Sequence, residues 1–289
     1  MSNVKLETEK AWQERYYDER GRRDLVVPPS IRKRYLDPPA QPWFPLEQMF
    51  RSVGDVRGKN ILCFGCGDDN STVLLALKGA TVWAFDVSEQ AIRLQRAMAG
   101  ANGLSDRIVA VVADAEALPF DAASFDVVFG TAILHHVPDS LVRVSKELLR
   151  LLKPGGFALF IEPVVASRAL RRIRVRIPVH TEASPGERPL ENADLRVLRL
   201  YFEMSQLPFV AFARLARFVL RRGVPLELCH PIRRAVVYLL FGLDFVLLRL
   251  PMLSSLGGVH VLRLAPKSAG HPGGTIAGGE QRPVIQGTI

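Results

Sequence analysis

The segment 60–69 constrains the fold of this chain most, because an apolar run leads directly into a turn that contains two glycines. A second apolar run, at 80–85, ends at the carboxylate of Asp86. Glycines allow a backbone to approach a ligand closely, and an acid at the end of the next strand can accept hydrogen bonds from ribose hydroxyls. This arrangement indicates a site for a cofactor that carries a nucleoside.

Short apolar strands alternate with helices between residues 58 and 163. Strands are predicted at 60–64, 81–85, 108–113, 125–130 and 157–162, and helices at 72–78, 89–101 and 140–152. The strands are apolar throughout, which indicates burial on both faces. This order predicts an α/β fold with a doubly wound, mostly parallel sheet, whose ligands bind at the carboxyl ends of the strands. The polar residues expected at those ends are Asp86, Asp114, Thr131, His135 and Glu162.

Four segments are expected along the 289 residues. Residues 1–56 are predicted to form an N-terminal lid and a proline-rich crossing segment, and 57–163 the cofactor-binding core. Residues 164–265 are predicted to form a basic, apolar cap with the closing strands of the sheet, at about 206–212 and 259–264, and 266–289 a disordered tail. Helices are expected at 7–19, 46–53, 193–202 and 214–250, and the prolines between 28 and 45 predict an extended segment.

The net charge of +9 is concentrated in the second part of the chain. Residues 166–289 hold 18 basic and 8 acidic side chains, whereas residues 1–165 hold 20 and 21. All but one of those 18 are arginines, whose forked donors match phosphate and carboxylate groups. An anionic or hydrophobic small-molecule substrate, or an anionic membrane, is therefore expected to bind there. The alternative is a solvated helix face with buried arginine stems, and nucleic acid is not expected, because no aromatic residues are interleaved with the arginines.

The apolar run at 235–250 is too short for a membrane span and has Asp244 near its middle. A helix lying in the membrane interface and a buried cap helix both remain open. The N-terminus lacks the apolar core of a signal peptide, and three cysteines give no disulfide framework. A cytoplasmic protein is expected, with the inner face of the membrane as a place of contact. His180, His230, His260 and His271 have no ligand spacing, so no metal site is expected.

Five motifs follow one another in the core. They are Ile-Leu-Cys-Phe-Gly-Cys-Gly at 61–67, Asp-Val-Ser at 86–88, Ala-Asp-Ala-Glu-Ala-Leu-Pro-Phe at 113–120, the stretch 124–138 with Leu-His-His-Val at 134–137, and Leu-Leu-Lys-Pro-Gly-Gly-Phe at 151–157. In this order and spacing they resemble the class I S-adenosylmethionine-dependent methyltransferases, in the small-molecule branch with a generic methyltransferase domain. A nicotinamide dinucleotide is disfavoured, because its fingerprint requires a glycine where this chain has Asn70.

The resemblance implies S-adenosyl-L-methionine as the cofactor. The glycine turn would pass under its methionine part, Asp86 would bind both ribose hydroxyls, and Asp114 would bind the adenine amino group. Thr131 would lie near the transferable methyl group. The full set of implied cofactor-binding residues is Phe64, Gly65, Cys66, Gly67, Asp86, Val87, Asp114, Ala115 and Thr131.

Two positions depart from the family pattern. The chain has Cys63 where the family usually has an acid, and Asp69 where it usually has a third glycine. The missing acid normally helps to orient the ammonium group of the cofactor, and Asp68 or Asp69 could replace it from the turn. These departures motivate an alternative function, which is a non-catalytic binding protein that keeps the methyltransferase fold.

Methyl transfer requires mainly that nucleophile, methyl group and sulfur are aligned. Transfer to an oxygen atom of the acceptor is favoured, and a base could take the proton of its hydroxyl group. His135, His136 and Glu162 are the candidate catalytic residues, because all three follow strands on the ligand side. Structural roles in packing or loop capping are the alternatives for each. Tyr16 and Tyr17 could close over the cofactor as part of the lid, or form the apolar face of a short helix.

Overall fold

A central sheet organises the computed structural model, which describes residues 3–19, 24–165, 184, 187–220, 226 and 229–267. Its strands are β1 (Asn60–Phe64), β2 (Thr81–Asp86), β3 (Ile108–Val112), β4 (Phe125–Thr131), β5 (Leu152–Val165), β6 (Leu190–Glu191), β7 (Phe202–Phe209) and β8 (Val259–Pro266). Their order is β3-β2-β1-β4-β5-β8-β7, and β6 pairs with the end of β5. Neighbours among β1–β5 are parallel, while β8 runs antiparallel to β5 and β7. The predicted α/β fold with a mostly parallel sheet is confirmed.

Helices follow the strands as the alternating pattern predicts. They are α1 (Asn3–Glu19), α2 (Pro29–Leu36), α3 (Pro45–Ser52), α4 (Ser71–Leu77), α5 (Glu89–Ala101), α6 (Leu141–Leu151), α7 (Asn192–Tyr201), α8 (Ala216–Val219) and α9 (Pro231–Leu247). Ser88 caps α5, since its hydroxyl accepts a hydrogen bond from the Ala91 N–H at 3.2 Å. Side chains on both faces of the sheet are buried. In β1, Ile61 packs into the core on one face and Leu62 into the core on the other, which explains why the strand is apolar throughout.

Four predicted elements differ from the structure. The proline-rich segment is not extended throughout, because Pro29 begins α2 at a helix position that needs no N–H donor and suits its fixed φ. Strand β5 spans Leu152–Val165 rather than 157–162, and β7 spans Phe202–Phe209 rather than about 206–212. Strand β7 exposes Glu203 and Gln206 at the edge of the sheet, so no apolar run marks it. The helix predicted at 214–250 is replaced, within the described residues, by α8 and α9.

Asp244 is buried on α9, where its carboxylate stabilises the segment that precedes α8. Its carboxylate accepts hydrogen bonds from the N–H groups of Ala211, Phe212 and Ala213 at 2.8, 2.8 and 2.9 Å. It therefore satisfies the free donors at the start of the 3₁₀ turn Phe212–Leu215. Within the described parts of the chain, no helix combines the length and apolarity that crossing a bilayer requires. The arginine run at 168–176 and the tail beyond 267 lie outside the described residues.

Candidate functional site

A pocket of about 400 Å³ lies at the carboxyl ends of β1, β2 and β4. Its floor is formed by the turn after β1, and its walls by the ends of β2 and β4 and the loops that follow β3 and β4. Helix α1 and Glu187 complete the lining. The site therefore lies where ligands bind in doubly wound sheets.

The turn after β1 requires glycine at two positions. Gly65 and Gly67 have φ angles of +64° and +48°, which side chains other than glycine adopt with strain. A Cβ atom at Gly65 would lie 2.5 Å from Cγ1 of Ile133, and one at Gly67 would lie 2.8 Å from the Tyr17 hydroxyl. The buried amide of Gln95 supports the turn, because Nε2 donates to the carbonyls of Cys66, Gly67 and Asp69 at 3.3, 3.1 and 3.1 Å.

Asp86 ends β2 with its carboxylate between two backbone donors. Oδ2 accepts a hydrogen bond from the Gly67 N–H at 3.0 Å, and Oδ1 accepts one from the Ser88 N–H at 3.0 Å. The residue is 8% exposed and lines the pocket. Burial raises the pKa of Asp86 above its usual value, and the backbone hydrogen bonds offset this only in part.

Asp69 connects the turn to the end of β4. Its Oδ2 accepts a short hydrogen bond from the Thr131 hydroxyl, and its Oδ1 accepts one from the Ser71 N–H at 2.7 Å. Burial raises the pKa of the Asp69 carboxyl. Cys63 is buried and does not line the pocket. Its thiol has a raised pKa because of burial and the nearby charge of Asp69. The two departures from the family pattern therefore lie close together.

Glu162 is fully buried behind the loop that follows β4. Oε1 accepts hydrogen bonds from the N–H groups of Ile133 and Leu134 at 2.9 and 2.7 Å. Oε2 lies 2.8 Å from Nδ1 of His135 and accepts a longer bond from the His135 N–H at 3.3 Å. Glu162 does not line the pocket, so the side chain positions the loop and His135 rather than meeting a ligand.

His135 lies between two carboxylates. Its Nε2 is 3.2 Å from Oε1 of Glu187, on the side opposite Glu162. Burial lowers the pKa of His135, but the hydrogen bonds to Glu162 and Glu187 outweigh that effect and raise the pKa to about 9.

His136 joins the same loop to helix α1. Its Nδ1 lies 3.1 Å from Oε1 of Glu9 and 3.1 Å from Oγ of Ser184. Its Nε2 lies 4.0 Å from Oε2 of Glu187. Burial acts to raise the pKa of Glu9. The hydrogen bonds with His136, Gln13 and Ser184 outweigh burial and hold this pKa below its usual value.

Helix α1 covers the pocket with its aromatic residues and is fixed at several points. Trp12 and Tyr16 stack with ring centroids 5.0 Å apart, and Tyr17 meets Tyr16 edge to face. The carboxylate of Glu14 accepts hydrogen bonds from the first N–H groups of α5, at 2.6 and 3.3 Å. Burial raises the pKa of Tyr17, which keeps its hydroxyl neutral above Gly67. Side chains of α1 therefore form this side of the pocket.

Most of the residues predicted from the sequence come together in this pocket. It is lined by Gly65, Cys66, Gly67, Asp86, Val87, Asp114, Ala115, Thr131, His135 and His136. Phe64 does not line it, because its ring packs edge to face against Phe85 and Phe160 in the core. Glu9 and Glu187 also line the pocket, but they were not predicted from the sequence. Neither is part of a local motif, and only the tertiary fold brings them to the histidines.

A family model described as a methyltransferase domain matches residues 62–160. The chain is 42% identical over 107 residues to the demethylmenaquinone methyltransferase of Clavibacter sepedonicus, which covers 37% of this chain and 42% of that protein. It is 33% identical over 138 residues to the ubiquinone biosynthesis O-methyltransferase of Paracidovorax citrulli, covering 42% of this chain and 56% of that protein. The chain thus spans about half the length of these curated relatives.

Two solved structures share the fold over most of the chain. One is the geranyl diphosphate C-methyltransferase of Streptomyces coelicolor A3(2), with a TM-score of 0.52, 14% identity and coverage of 91% of this chain and 97% of that one. The other is the [4+2]-cyclase SpnF, with a TM-score of 0.50, 21% identity and coverage of 76% and 83%. At these identities the likeness concerns the fold alone.

Proposed function

The chain belongs to the class I S-adenosylmethionine-dependent methyltransferases, and on that basis we propose that it binds this cofactor and transfers its methyl group to a small acceptor. One observation carries the proposal. A single pocket is lined by the two glycines of the turn after β1, by the carboxylate that ends β2 and by Thr131 at the end of β4. These are the positions that such a cofactor would contact along its length.

The adenosine part would lie against the ends of β2 and β3. Each oxygen of Asp86 accepts one backbone hydrogen bond and keeps a further lone pair for a ribose hydroxyl. Asp114 and Ala115 line the pocket after β3, where adenine would lie. Helix α1, with Trp12 and Tyr17 in the lining, would cover the cofactor from the opposite side.

Asp69 would supply the acid that the family normally has at the position of Cys63. Its carboxylate lines the pocket beside Thr131, at the end where the methionine part would lie. The thiol of Cys63 is buried in the core and does not line the pocket. A charge-assisted hydrogen bond from the cofactor ammonium to Asp69 would therefore replace the usual contact.

Replacing Asp69 with asparagine is expected to raise the Kd for S-adenosylmethionine by at least about tenfold, because one charge-assisted hydrogen bond is lost. The matched control is methylthioadenosine, a ligand without the amino-acid part, whose affinity should not change. Isothermal titration calorimetry of both ligands with both proteins measures the difference. An equal loss for both ligands would assign Asp69 to the shape of the turn, and no loss for either would remove it from binding.

The acceptor that fits best is a hydrophobic phenol or a related quinone precursor, methylated on oxygen. One relative is named a ubiquinone biosynthesis O-methyltransferase and another a demethylmenaquinone methyltransferase, and the arginine-rich second part of the chain suits an apolar or anionic molecule. His135 and His136 line the pocket and would contact the acceptor. Glu162 would act through His135 as a positioning residue.

Calorimetry and thermal melting with S-adenosylmethionine and S-adenosylhomocysteine test the proposed function directly. Saturable binding and a rise in Tm are expected. The absence of both heat and thermal shift at millimolar ligand would overturn the methyltransferase proposal. The second candidate, a binding protein without catalysis, is favoured by the departures at Cys63 and Asp69. It predicts binding without transfer of labelled methyl groups to phenolic quinone precursors.

Peripheral contact with an anionic membrane would bring such an acceptor to the protein. Six apolar side chains on and just after α9 are exposed at spacings of three and four residues, and so form one stripe: Ile232, Val236, Leu239, Leu243, Val246 and Leu250. We call this the α9 stripe. Arg233, Arg234 and Arg249 are exposed beside it. Among the described residues from 211 to 258 the one acidic side chain is Asp244, which is buried.

The charge beside the α9 stripe favours an anionic lipid surface as its partner. An exposed apolar face flanked by arginines is typical of helices that lie in a membrane interface. Each arginine near the surface is worth about 1 kcal/mol of attraction to anionic lipid. A purely apolar protein partner would not require the arginines.

Sedimentation with phosphatidylglycerol vesicles at low salt is expected to pellet the protein, whereas phosphatidylcholine vesicles should not. The double substitution of Leu239 and Val246 by glutamate should abolish pelleting, because it places charge in the face that would enter the membrane interface. Leu200→Glu is the matched control, since Leu200 is 69% exposed on α7, outside the stripe. Protein that stays in the supernatant with anionic vesicles at low salt would contradict membrane contact.

A further inference from the structure

Three potential metal ligands converge at one end of the pocket. His135, His136 and Glu187 each offer one ligand atom, and these atoms lie within 4.8 Å of one another. Nε2 of His135 is 3.2 Å from one oxygen of Glu187, and Nε2 of His136 is 4.0 Å from the other. Two ligands bound to one ion at about 2.1 Å in tetrahedral geometry are roughly 3.4 Å apart. The observed separations bracket that value.

Both histidines are oriented in the same way by carboxylates behind them. Nδ1 of His135 faces Glu162 at 2.8 Å, and Nδ1 of His136 faces Glu9 at 3.1 Å. Both of these acids are less than 10% exposed. Histidine ligands commonly donate the N–H that is not bound to metal to a carboxylate, which fixes the tautomer and turns the other nitrogen toward the ion. Here that other nitrogen points toward Glu187 in both cases.

We propose that His135, His136 and Glu187 bind a divalent transition-metal ion of the zinc class. Two imidazoles and one carboxylate suit Zn²⁺ and its neighbours, whereas Mg²⁺ prefers oxygen ligands alone. Three protein ligands leave a fourth position open. All three ligands line the pocket, so this open position faces the space for an acceptor.

The expected role of the ion rests on the proposed function. A phenolic oxygen of the acceptor would take the open position, and the ion would favour its ionised form, with the proton released to solvent. None of the three ligands belongs to the residues assigned to the cofactor. Binding of the ion and binding of S-adenosylmethionine are therefore expected to be independent.

Metal binding is tested on the full chain without an affinity tag, after treatment with a chelator and without cofactor. Calorimetry is expected to show one Zn²⁺ per chain, and Co²⁺ is expected to give visible absorption bands of a site with nitrogen ligands. His135→Ala, His136→Ala and Glu187→Gln should each weaken Zn²⁺ binding by about 100-fold, and Glu9→Gln by about tenfold. His230→Ala, an exposed histidine at the start of α9, is the matched control.

Either of two results would overturn the proposed site. The parent chain could take up neither Zn²⁺ nor Co²⁺, or the three ligand variants could take up the metal as tightly as the parent. Circular dichroism of each variant establishes that it is folded. If a ligand variant does not fold, the Co²⁺ spectrum of the parent decides, because a site of oxygen ligands alone would contradict the two histidines. Affinity for S-adenosylmethionine, measured with and without Zn²⁺, tests the proposed function separately.

Discussion

Replacing Asp86 with alanine is expected to weaken S-adenosylmethionine binding by a factor on the order of 100 or more. The cofactor would lose two charge-assisted hydrogen bonds from its ribose hydroxyls, each worth about 1.5–3 kcal/mol. Asp86 is 8% exposed, so these hydrogen bonds would be largely shielded from bulk water. The substitution also removes the acceptor for the Gly67 N–H, which loosens the turn under the methionine part.

Calorimetry with the cofactor measures the loss, and thermal melting without ligand shows whether the variant is folded. Asp106→Ala is the control, because Asp106 is an exposed acid in the turn before β3 and should leave the affinity unchanged. Asp86→Asn keeps the shape but turns an amide donor toward a backbone N–H, so an intermediate loss is expected. An alanine variant that binds the cofactor as tightly as the parent would refute the position of the ribose.

Much of the pocket lining was predictable because its residues lie in local motifs at strand ends. The glycine turn after β1, the acid that ends β2 and the threonine that ends β4 can each be recognised from a few residues of sequence. The parallel sheet then brings all strand ends to one edge. Phe64 was the exception, because alternate residues of a strand point to opposite faces, and its ring packs against Phe85 instead of the pocket.

The polar network at the acceptor end was not predictable in the same way. Glu9 lies 127 residues from His136 in sequence, and Glu187 lies 52 residues from His135. No periodicity or spacing connects them, since only the packing of α1 and of the chain after β5 brings these carboxylates to the histidines. The adjacent pair of histidines was visible in the sequence, but its proposed role as metal ligands depends on which way each ring is turned. Carboxylates from distant segments decide that orientation.

Replacing Glu162 with alanine is expected to lower the stability of the fold by about 3–5 kcal/mol, since it removes one partner from a buried charged network. The N–H groups of Ile133 and Leu134, and the ring of His135, would lose the acceptor that the fully buried Glu162 provides. Each buried donor left without a partner costs about 1–3 kcal/mol. A chain of this size should melt roughly 10 °C lower.

Differential scanning fluorimetry of the chain without ligand measures this change. Glu203→Ala is the matched control, because Glu203 is an exposed acid on the edge strand β7 and its loss should leave Tm nearly unchanged. Glu162→Gln should recover part of the loss, since its amide oxygen can still accept from Ile133 and Leu134 while its NH₂ group faces Nδ1 of His135. If Glu162→Ala melts at the same temperature as Glu203→Ala, the buried carboxylate does not hold the loop after β4 in place.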